Sequence, residues 1–164
     1  MKHQDRTYRL NYRYPRTELR QVVFRFKEVE DLPLGFSREK PIHSPADLVE
    51  QYRFMFDSLT TERFCVFILN SANRIQAVDI VSEGLLNSSL VHPREAFRSA
   101  IVSASASVIL AHNHPSGNLE PSQEDLAITK QMTEAGKIIG IPVHDHIIFC
   151  DGGHYTSMAE RGLI

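Results

Sequence analysis

The sequence of 164 residues has few cysteines, no tryptophan and no long hydrophobic run. No apolar stretch approaches the roughly 20 residues that a membrane-spanning helix requires, so we expect no membrane span. The first ten residues are polar and lack the apolar centre of a secretory signal peptide, which makes the cytoplasm the expected compartment. The remaining composition is that of an ordinary globular protein, with 42% hydrophobic and 23% charged residues in a length that suits one domain.

The two cysteines, Cys65 and Cys150, lie far apart in the apolar segments FCVFIL and IIFC. Two thiols suffice for one disulfide, but this apolar context is typical of free cysteines in buried strands. The sequence contains no CxxC pair. Any metal ion would therefore be held by histidine and carboxylate side chains.

The net charge of −2 conceals a basic N-terminal arm. Residues 1–27 contain eight Lys and Arg residues against two acidic ones, Asp5 and Glu18. A basic arm can bind nucleic acid through the phosphate backbone. A solvated tail and strand edge is the commoner interpretation of such a terminus, and both interpretations stay open.

The pattern along the chain predicts a short N-terminal region, residues 1–41, and one α/β domain, residues 42–164. Residues 1–41 are predicted to be a tail with one edge strand at 20–29, without helix-hairpin-helix glycines. Alternation of helices and strands in the rest predicts a mixed β-sheet with helices on both faces. The predicted helices are 45–56, 93–105 and 122–140, and a helical turn is predicted at 157–161. The predicted strands are 63–70, 75–82, 107–112 and a last one, HIIFC, within 141–150.

The segment AHNHPSGNLEPSQED, residues 111–125, contains the candidate functional residues. His112 and His114 end an apolar strand and are two residues apart. If the backbone stays extended, both rings leave the same face, with Cβ atoms roughly 6.8 Å apart. Imidazoles at that spacing can bind one ion at the roughly 2.0–2.1 Å of a Zn–N bond.

Asp125 lies in the first turn of the next predicted helix, where the helix dipole favours an ionised carboxylate. Two histidines and one aspartate give three protein ligands and leave the fourth tetrahedral position for water, as in catalytic zinc sites. Zinc lowers the pKa of such a water to roughly 7, so that hydroxide is available at neutral pH.

Each of these residues also has a structural interpretation. Ser122 and Asp125 fit a helix-capping pair, and His112 alone fits a hydrogen-bonded core histidine. A hydrolytic site further needs a general base that is not a ligand, and spacing alone does not choose one. The candidates are Glu62, Glu83, Glu95, Glu120 and Glu124.

The motif HNHPSGNLEPSQED resembles that of the JAMM/MPN⁺ (JAB) metalloproteases, in which a distant glutamate precedes H-x-H-P and S-x-x-D. The version in this chain is similar to that of the RadC family. The resemblance covers about residues 42–164 and includes ERFCVFILNSANRI, EGLLNSSLVHPREAF, VHDHIIF and YTSMAERGLI. It implies the JAMM/MPN α/β fold, which is related to the cytidine deaminases.

The resemblance also implies roles for five residues. His112, His114 and Asp125 correspond to the zinc ligands, Glu62 to the general base, and Ser122 to the residue that hydrogen-bonds the oxyanion. The implied function is a zinc-dependent hydrolase that cleaves an amide bond in a peptide or protein substrate, either a peptide or an isopeptide bond. A deaminase is disfavoured because no PCxxC supplies its cysteine ligands.

The alternative function is a DNA-associated accessory module of the RadC type, whose metal site is not used for proteolysis. The basic arm favours it, whereas the missing helix-hairpin-helix region weakens the association with DNA repair. A non-catalytic scaffold is disfavoured because every ligand is present. The chain also departs from the family at Leu85, where a threonine is frequent, but this leaves the metal motif intact.

The remaining polar residues have weaker patterns. Asp145 and His146 adjoin the last strand and fit either support of the metal site or structural hydrogen bonds. Arg94 and Glu95 follow Pro93, and a capping or salt-bridge role is favoured over contact with substrate. Four further histidines have no partner pattern and receive no role: His43, His92, His144 and His154.

Overall fold

The computed structural model describes residues 27–28, 32–33, 36–37, 39–84 and 91–164. Most of the basic arm and of the predicted strand at 20–29 lies outside these residues, as does Leu85. In the part described, no helix is both long and apolar enough to cross a membrane. The elements are α1 (Pro45–Tyr52), β1 (Glu62–Leu69), β2 (Ile75–Gly84), α2 (Pro93–Ala96), α3 (Arg98–Val102), β3 (Ser107–Asn113), α4 (Gln123–Ile139), β4 (Val143–Phe149) and β5 (Tyr155–Ser157).

The five strands form one mixed sheet in the order β2-β1-β3-β4-β5. Only β3 and β4 run parallel, and the other neighbours are antiparallel. Phe64 of β1 pairs with His112 of β3, and His112 pairs in turn with Ile148 of β4. The central strand β3 is buried along its whole length, because it has a strand on each side and helices over both faces.

Helices cover both faces of the sheet, which confirms the predicted α/β architecture. One core lies under α1, where Leu48 and Tyr52 meet Phe67 of β1 and Phe149 of β4. The other core lies under α2, α3 and α4, where Phe97, Ile128 and Met132 meet the opposite face. Side chains alternate along a strand, so His112 and Leu110 both face α4.

Serine caps set the starts of the two longer helices. The Ser44 side chain accepts a hydrogen bond from the Asp47 amide, and Ser122 does the same for Asp125, each within a complete capping box. Helix α4 ends at Gly140, whose φ of 73° lies in the left-handed region that glycine adopts without strain. The predicted starts of these two helices lie within one residue of the observed ones, whereas α1 ends at Tyr52 and a 3₁₀ turn at Arg53–Met55 occupies most of the rest of the predicted helix.

Two predicted elements differ from the structure. The helix expected at 93–105 is split at Phe97 into α2 and α3, and His92 caps its start by accepting the Arg94 amide on Nδ1 at 3.2 Å. The turn expected at 157–161 is preceded by a strand, β5, which pairs with β4. A three-residue strand has too few positions for an alternating pattern to be recognised in the sequence.

Candidate metal centre

The end of β3 meets the start of α4 at a cluster of three side chains, His112, His114 and Asp125. The Nε2 atoms of the two histidines are 3.0 Å apart. His112 Nε2 lies 3.1 Å from Asp125 Oδ1, and His114 Nε2 lies 3.3 Å from Oδ2. In the described part of the chain this is the group of histidine, cysteine and acidic residues that could hold a metal ion.

The spacing of these atoms fits a tetrahedral ion. Ligands at roughly 2.0–2.1 Å from zinc are separated from one another by about 3.3 Å at tetrahedral angles. The two Nε2 atoms are 3.0 Å apart, and each lies 3.1 or 3.3 Å from a different oxygen of Asp125, which is close to that value. One donor atom from each residue lies within 4.8 Å of the other two, so modest side-chain rotations would bring three protein atoms to one ion.

The donor and acceptor roles of His114 also fit an ion. Its Nδ1 lies 2.7 Å from the backbone carbonyl of Asn118, which can only accept a hydrogen bond. In a neutral ring the proton is then on Nδ1, and the Nε2 lone pair faces the carboxylate of Asp125. Two acceptors face each other here, and a shared cation relieves their repulsion.

A proton can occupy the same place when the ion is absent. The hydrogen bond to Asp125 raises the pKa of His114, against the effect of partial burial, and the charge of Glu62 adds to the increase. Burial would raise the pKa of Asp125, but the adjacent His112 and His114 rings and the hydrogen bond from Ser122 hold it far below its usual value. The carboxylate therefore stays ionised, as a metal ligand must.

Ser122 is bonded to Asp125 in three ways. Its amide and its hydroxyl both donate to Asp125 Oδ2 at 2.7 Å, and its Oγ accepts the Asp125 amide at 3.1 Å. The capping interpretation of this pair is therefore confirmed, and it coexists with a place in the metal cluster. The carboxylate is only 5% exposed and is oriented by the helix start.

The neighbouring residues Asp145 and His146 make different contacts: His146 contacts the cluster, and Asp145 forms structural hydrogen bonds. His146 Nε2 lies 2.8 Å from Nδ1 of His112, so this residue contacts a member of the cluster directly. Burial lowers the pKa of His146 well below its usual value, so the ring is neutral. Asp145 instead accepts the Ser157 hydroxyl at 2.6 Å and the Ala159 amide at 3.0 Å, which fixes β5 to β4.

The loop 115–121 is fixed by its backbone carbonyls and by one ion pair. The carbonyl of Asn118 accepts His114, and that of Leu119 accepts the Thr156 hydroxyl at 2.7 Å. Glu120 forms an ion pair with Arg161 at 2.8 Å. These contacts hold the loop against β5 and the turn that follows it.

Glu62 lies at the start of β1, on the face of the sheet that carries Phe64 and His112, because side chains alternate along the strand. The hydrogen bond to Asp125 is the largest cause of the raised pKa of His114, and the negative charge of Glu62 adds a smaller increase. Glu62 is not a member of the ligand group. Other candidate bases are in surface ion pairs: Glu83 with Arg63, Glu95 with Arg94 and Arg98, and Glu120 with Arg161.

Two residues that the sequence did not indicate also organise the site. The Asn113 side chain accepts the Arg63 amide at 2.8 Å and donates to the Thr61 carbonyl at 3.0 Å, so it clamps the backbone on both sides of Glu62. Thr129 contacts His146 from α4. Thr129 lies four residues after Asp125, and this helical spacing was the one signal that could have indicated it.

The fold and the cluster together define a mixed α/β domain with a candidate metal centre where a central strand meets a capped helix. The chain belongs to the RadC-like JAB domain family, whose profile matches residues 42–163. This confirms the resemblance stated from the motif. The sheet with helices on both faces and the His-His-Asp group are consistent with this family.

Curated relatives cover the same region. A "UPF0758 protein" from Salinibacter ruber is 52% identical over 120 residues, which are 73% of this chain and 51% of the relative. One from Rubrobacter xylanophilus is 50% identical over 123 residues, 75% of this chain and 53% of the relative. One from Methanosarcina mazei is 43% identical over 129 residues, which are 77% of this chain and 55% of the relative. The chain thus spans about half the length of these relatives, and their shared name states no activity.

Proposed function

We propose that this domain is a zinc-dependent hydrolase that cleaves an amide bond, either a peptide or an isopeptide bond. The observation that supports it most is the cluster of His112, His114 and Asp125, in which one donor atom from each residue lies within 4.8 Å of the other two. Three protein ligands leave a tetrahedral ion one open position, as in catalytic sites. His114 is also the more accessible histidine, with 11% of its side chain exposed against none of His112.

Zinc, when bound here, would polarise the substrate carbonyl and acidify a water molecule. The protein supplies the proton transfers. Glu62 is outside the ligand group but close enough for its charge to act on His114, which suits a base that removes the proton from the attacking water. The same carboxyl group would then donate that proton to the leaving amine.

Ser122 is proposed to donate its hydroxyl proton to the oxyanion that develops on the substrate carbonyl. In the free protein that proton is directed at Asp125 Oδ2. The Ser122 amide also donates to this oxygen at 2.7 Å, so the carboxylate keeps one hydrogen bond when the hydroxyl turns to substrate. The helix cap and the oxyanion contact are therefore compatible.

The loop 115–121 is proposed to help admit substrate, because it follows His114 directly. Its contacts with His114, Thr156 and Arg161 fix it in place, so it would form a fixed side of the substrate path rather than a lid.

The experiment compares Glu62→Gln with a matched control, Glu95→Gln. Both remove one carboxylate, but Glu95 lies on α2 in surface ion pairs with Arg94 and Arg98. Each purified protein is assayed for zinc content and for hydrolysis of a panel of fluorogenic peptides and lysine-linked isopeptides. Removal of a general base lowers turnover by about 10²–10⁴-fold.

We expect Glu62→Gln to keep one zinc per chain and to lose turnover by that factor, while Glu95→Gln keeps both properties. Normal hydrolysis by Glu62→Gln would refute the assignment of the base. Wild-type protein that binds zinc but cleaves no member of the panel would count against the hydrolase proposal, whereas the metal site would stand.

A further inference from the structure

A chain of buried hydrogen bonds connects two members of the metal cluster through residues that do not belong to it. His112 Nδ1 lies 2.8 Å from His146 Nε2, and His146 Nδ1 lies 2.6 Å from Thr129 Oγ1. The Thr129 hydroxyl lies 2.6 Å from the backbone carbonyl of Asp125. The chain therefore begins at one candidate ligand and ends at another. We call these four residues the hydrogen-bonded ring, since Asp125 and His112 also meet at the cluster.

The helix determines the direction of the protons in this ring. Thr129 lies one turn after Asp125 in α4, where a threonine hydroxyl donates to the carbonyl four residues before it. The thioether of Met158, 3.1 Å from the hydroxyl, is a weaker acceptor than that carbonyl. Because the Thr129 hydroxyl donates its proton to the Asp125 carbonyl, Thr129 Oγ1 can only accept a hydrogen bond from His146.

The remaining protons follow in order. His146 Nδ1 must carry the proton that Thr129 accepts, so its Nε2 is an acceptor in the neutral ring. His112 Nδ1 must then carry the proton that His146 accepts. The Nε2 of His112 is left with a lone pair, and this atom faces Asp125 Oδ1 at 3.1 Å and His114 Nε2 at 3.0 Å.

We propose that His146 and Thr129 are positioning residues that keep His112 in the tautomer that binds metal. This inference rests on the metal site of the proposed function but not on the hydrolytic reaction. If donors and acceptors were exchanged along the hydrogen-bonded ring, the proton of His112 would be on Nε2, between that atom and the Asp125 carboxylate. That tautomer has no lone pair to offer an ion.

Within the described residues, His146 is the partner of His112 Nδ1, and both rings lie in an apolar environment. The side chains of His112 and His146 are fully buried. The Phe64 ring lies over both, with ring centroids 6.3 Å from His112 and 5.5 Å from His146. A carboxylate or carbonyl commonly fills the place that His146 occupies behind a ligand histidine, and loss of such a partner typically weakens metal binding by about 10–100-fold.

The decisive experiment is a matched pair at position 129. Thr129→Val keeps the shape of the side chain but removes the hydroxyl, whereas Thr129→Ser keeps the hydroxyl. Zinc affinity of the purified proteins is measured by competition with a chromophoric chelator, without any substrate. We expect Thr129→Val to bind zinc about 10-fold more weakly than wild type, and Thr129→Ser to stay within about 2-fold.

A second pair tests His146 directly. The amide of His146→Gln can accept from His112 and donate towards Thr129, whereas His146→Leu can do neither. The loss of zinc affinity should be larger for His146→Leu than for His146→Gln. If His146→Leu does not fold, the Thr129 pair still decides the outcome.

Nitrogen-15 NMR of labelled histidines distinguishes this role from a purely structural one. In the zinc-loaded wild type we expect His112 and His146 both to carry their proton on Nδ1, with His146 neutral. A proton on Nε2 of His146 would overturn the proposal, as would equal zinc affinity in Thr129→Val and Thr129→Ser. Wild-type protein that binds no zinc would overturn it together with the metal site, whereas zinc binding without hydrolysis would contradict only the hydrolase.

Discussion

The two histidines of the metal cluster are oriented by different kinds of partner. His112 is fully buried and contacts another side chain, His146, which in turn contacts Thr129. His114 is partly accessible and contacts the backbone carbonyl of Asn118 in the loop 115–121. We refer to these as the buried half and the loop half of the site.

The different partners of His112 and His114 show two ways in which a protein can determine which ring nitrogen of a histidine carries the proton. A backbone carbonyl can only accept, so the loop half selects the Nδ1–H tautomer of His114 without help from any particular side chain. An imidazole can accept or donate, so the buried half depends on Thr129 and on the helix carbonyl beyond it. The buried half is therefore the part of the site that single substitutions can disrupt most.

The largest expected effects come from replacing the two proposed histidine ligands one at a time. His112→Ala and His114→Ala should each abolish stoichiometric zinc binding, because two ligands hold zinc far less tightly than three. The metal-free proteins should differ. His112→Ala leaves His146 without its buried partner and should lower the free energy of unfolding by about 1–3 kcal/mol more than His114→Ala, whose partner carbonyl can bond to water.

Zinc content by elemental analysis and urea unfolding of the metal-free variants measure the two parts of this prediction. Wild-type protein stripped of metal by a chelator is the reference in both. Equal unfolding free energies for the two metal-free variants would remove the distinction between the halves.

The next largest effect is the pH dependence of the free energy of unfolding of the metal-free protein. The loop half and the buried half contribute to this dependence with opposite signs. The folded-state pKa of His114 is raised, so its contribution to stability is complete below the unfolded pKa of about 6.5 and is lost as the pH rises through the higher folded value. The folded-state pKa of His146 is lowered, so its contribution is complete above about 6.5 and is lost as the pH falls.

Each histidine changes the slope of the unfolding free energy against pH by at most about 1.4 kcal/mol per pH unit. Chemical unfolding at a series of pH values should therefore show a slope above pH 6.5 that His114→Gln flattens and a slope below it that His146→Gln flattens. Saturating zinc should flatten the upper slope in wild type, because the ion takes the place of the proton. A single slope of one sign across the range would contradict this division.

The smallest expected effect concerns the two thiols. Cys65 is fully buried and its burial raises the pKa to about 12, whereas Cys150 is partly exposed and its thiol donates to the Asn118 carbonyl that also accepts His114. A thiol reagent should therefore label one cysteine per native chain and two per denatured chain. Cys150→Ser keeps a donor and should leave zinc affinity within about 2-fold of wild type.

Peptide mapping after labelling identifies the modified residue. Labelling of Cys65 in the native protein would mean that the core under α1 opens more readily than its packing indicates. A large loss of zinc affinity in Cys150→Ser would show that the loop half also depends on a side chain.

Local signals predicted much of the fold. Ser44 and Ser122 predicted where the two longer helices begin, because a helix cap is a contact between residues three apart in the sequence. Strands β1 and β3 were recognised from their apolar runs, because a strand covered by helices on both faces is buried along most of its length. The edge strand β2 was recognised as the second arm of a hairpin. The break at Phe97 and the strand β5 were missed, since a bend in a short helix and a three-residue pairing both depend on packing against other elements.

The sequence by itself determined the parts of the site that are close together along the chain. His112 and His114 share a face because of the strand period, and Ser122 and Asp125 meet because of the helix start. Tertiary structure alone decided which residues stand behind and beside them. His146, 34 residues from His112, depends on the parallel pairing of β3 with β4, and Glu62 depends on the antiparallel pairing of β1 with β3. The physical reason is that alternation fixes the face of a side chain, whereas the register of two strands follows from the packing of the whole sheet.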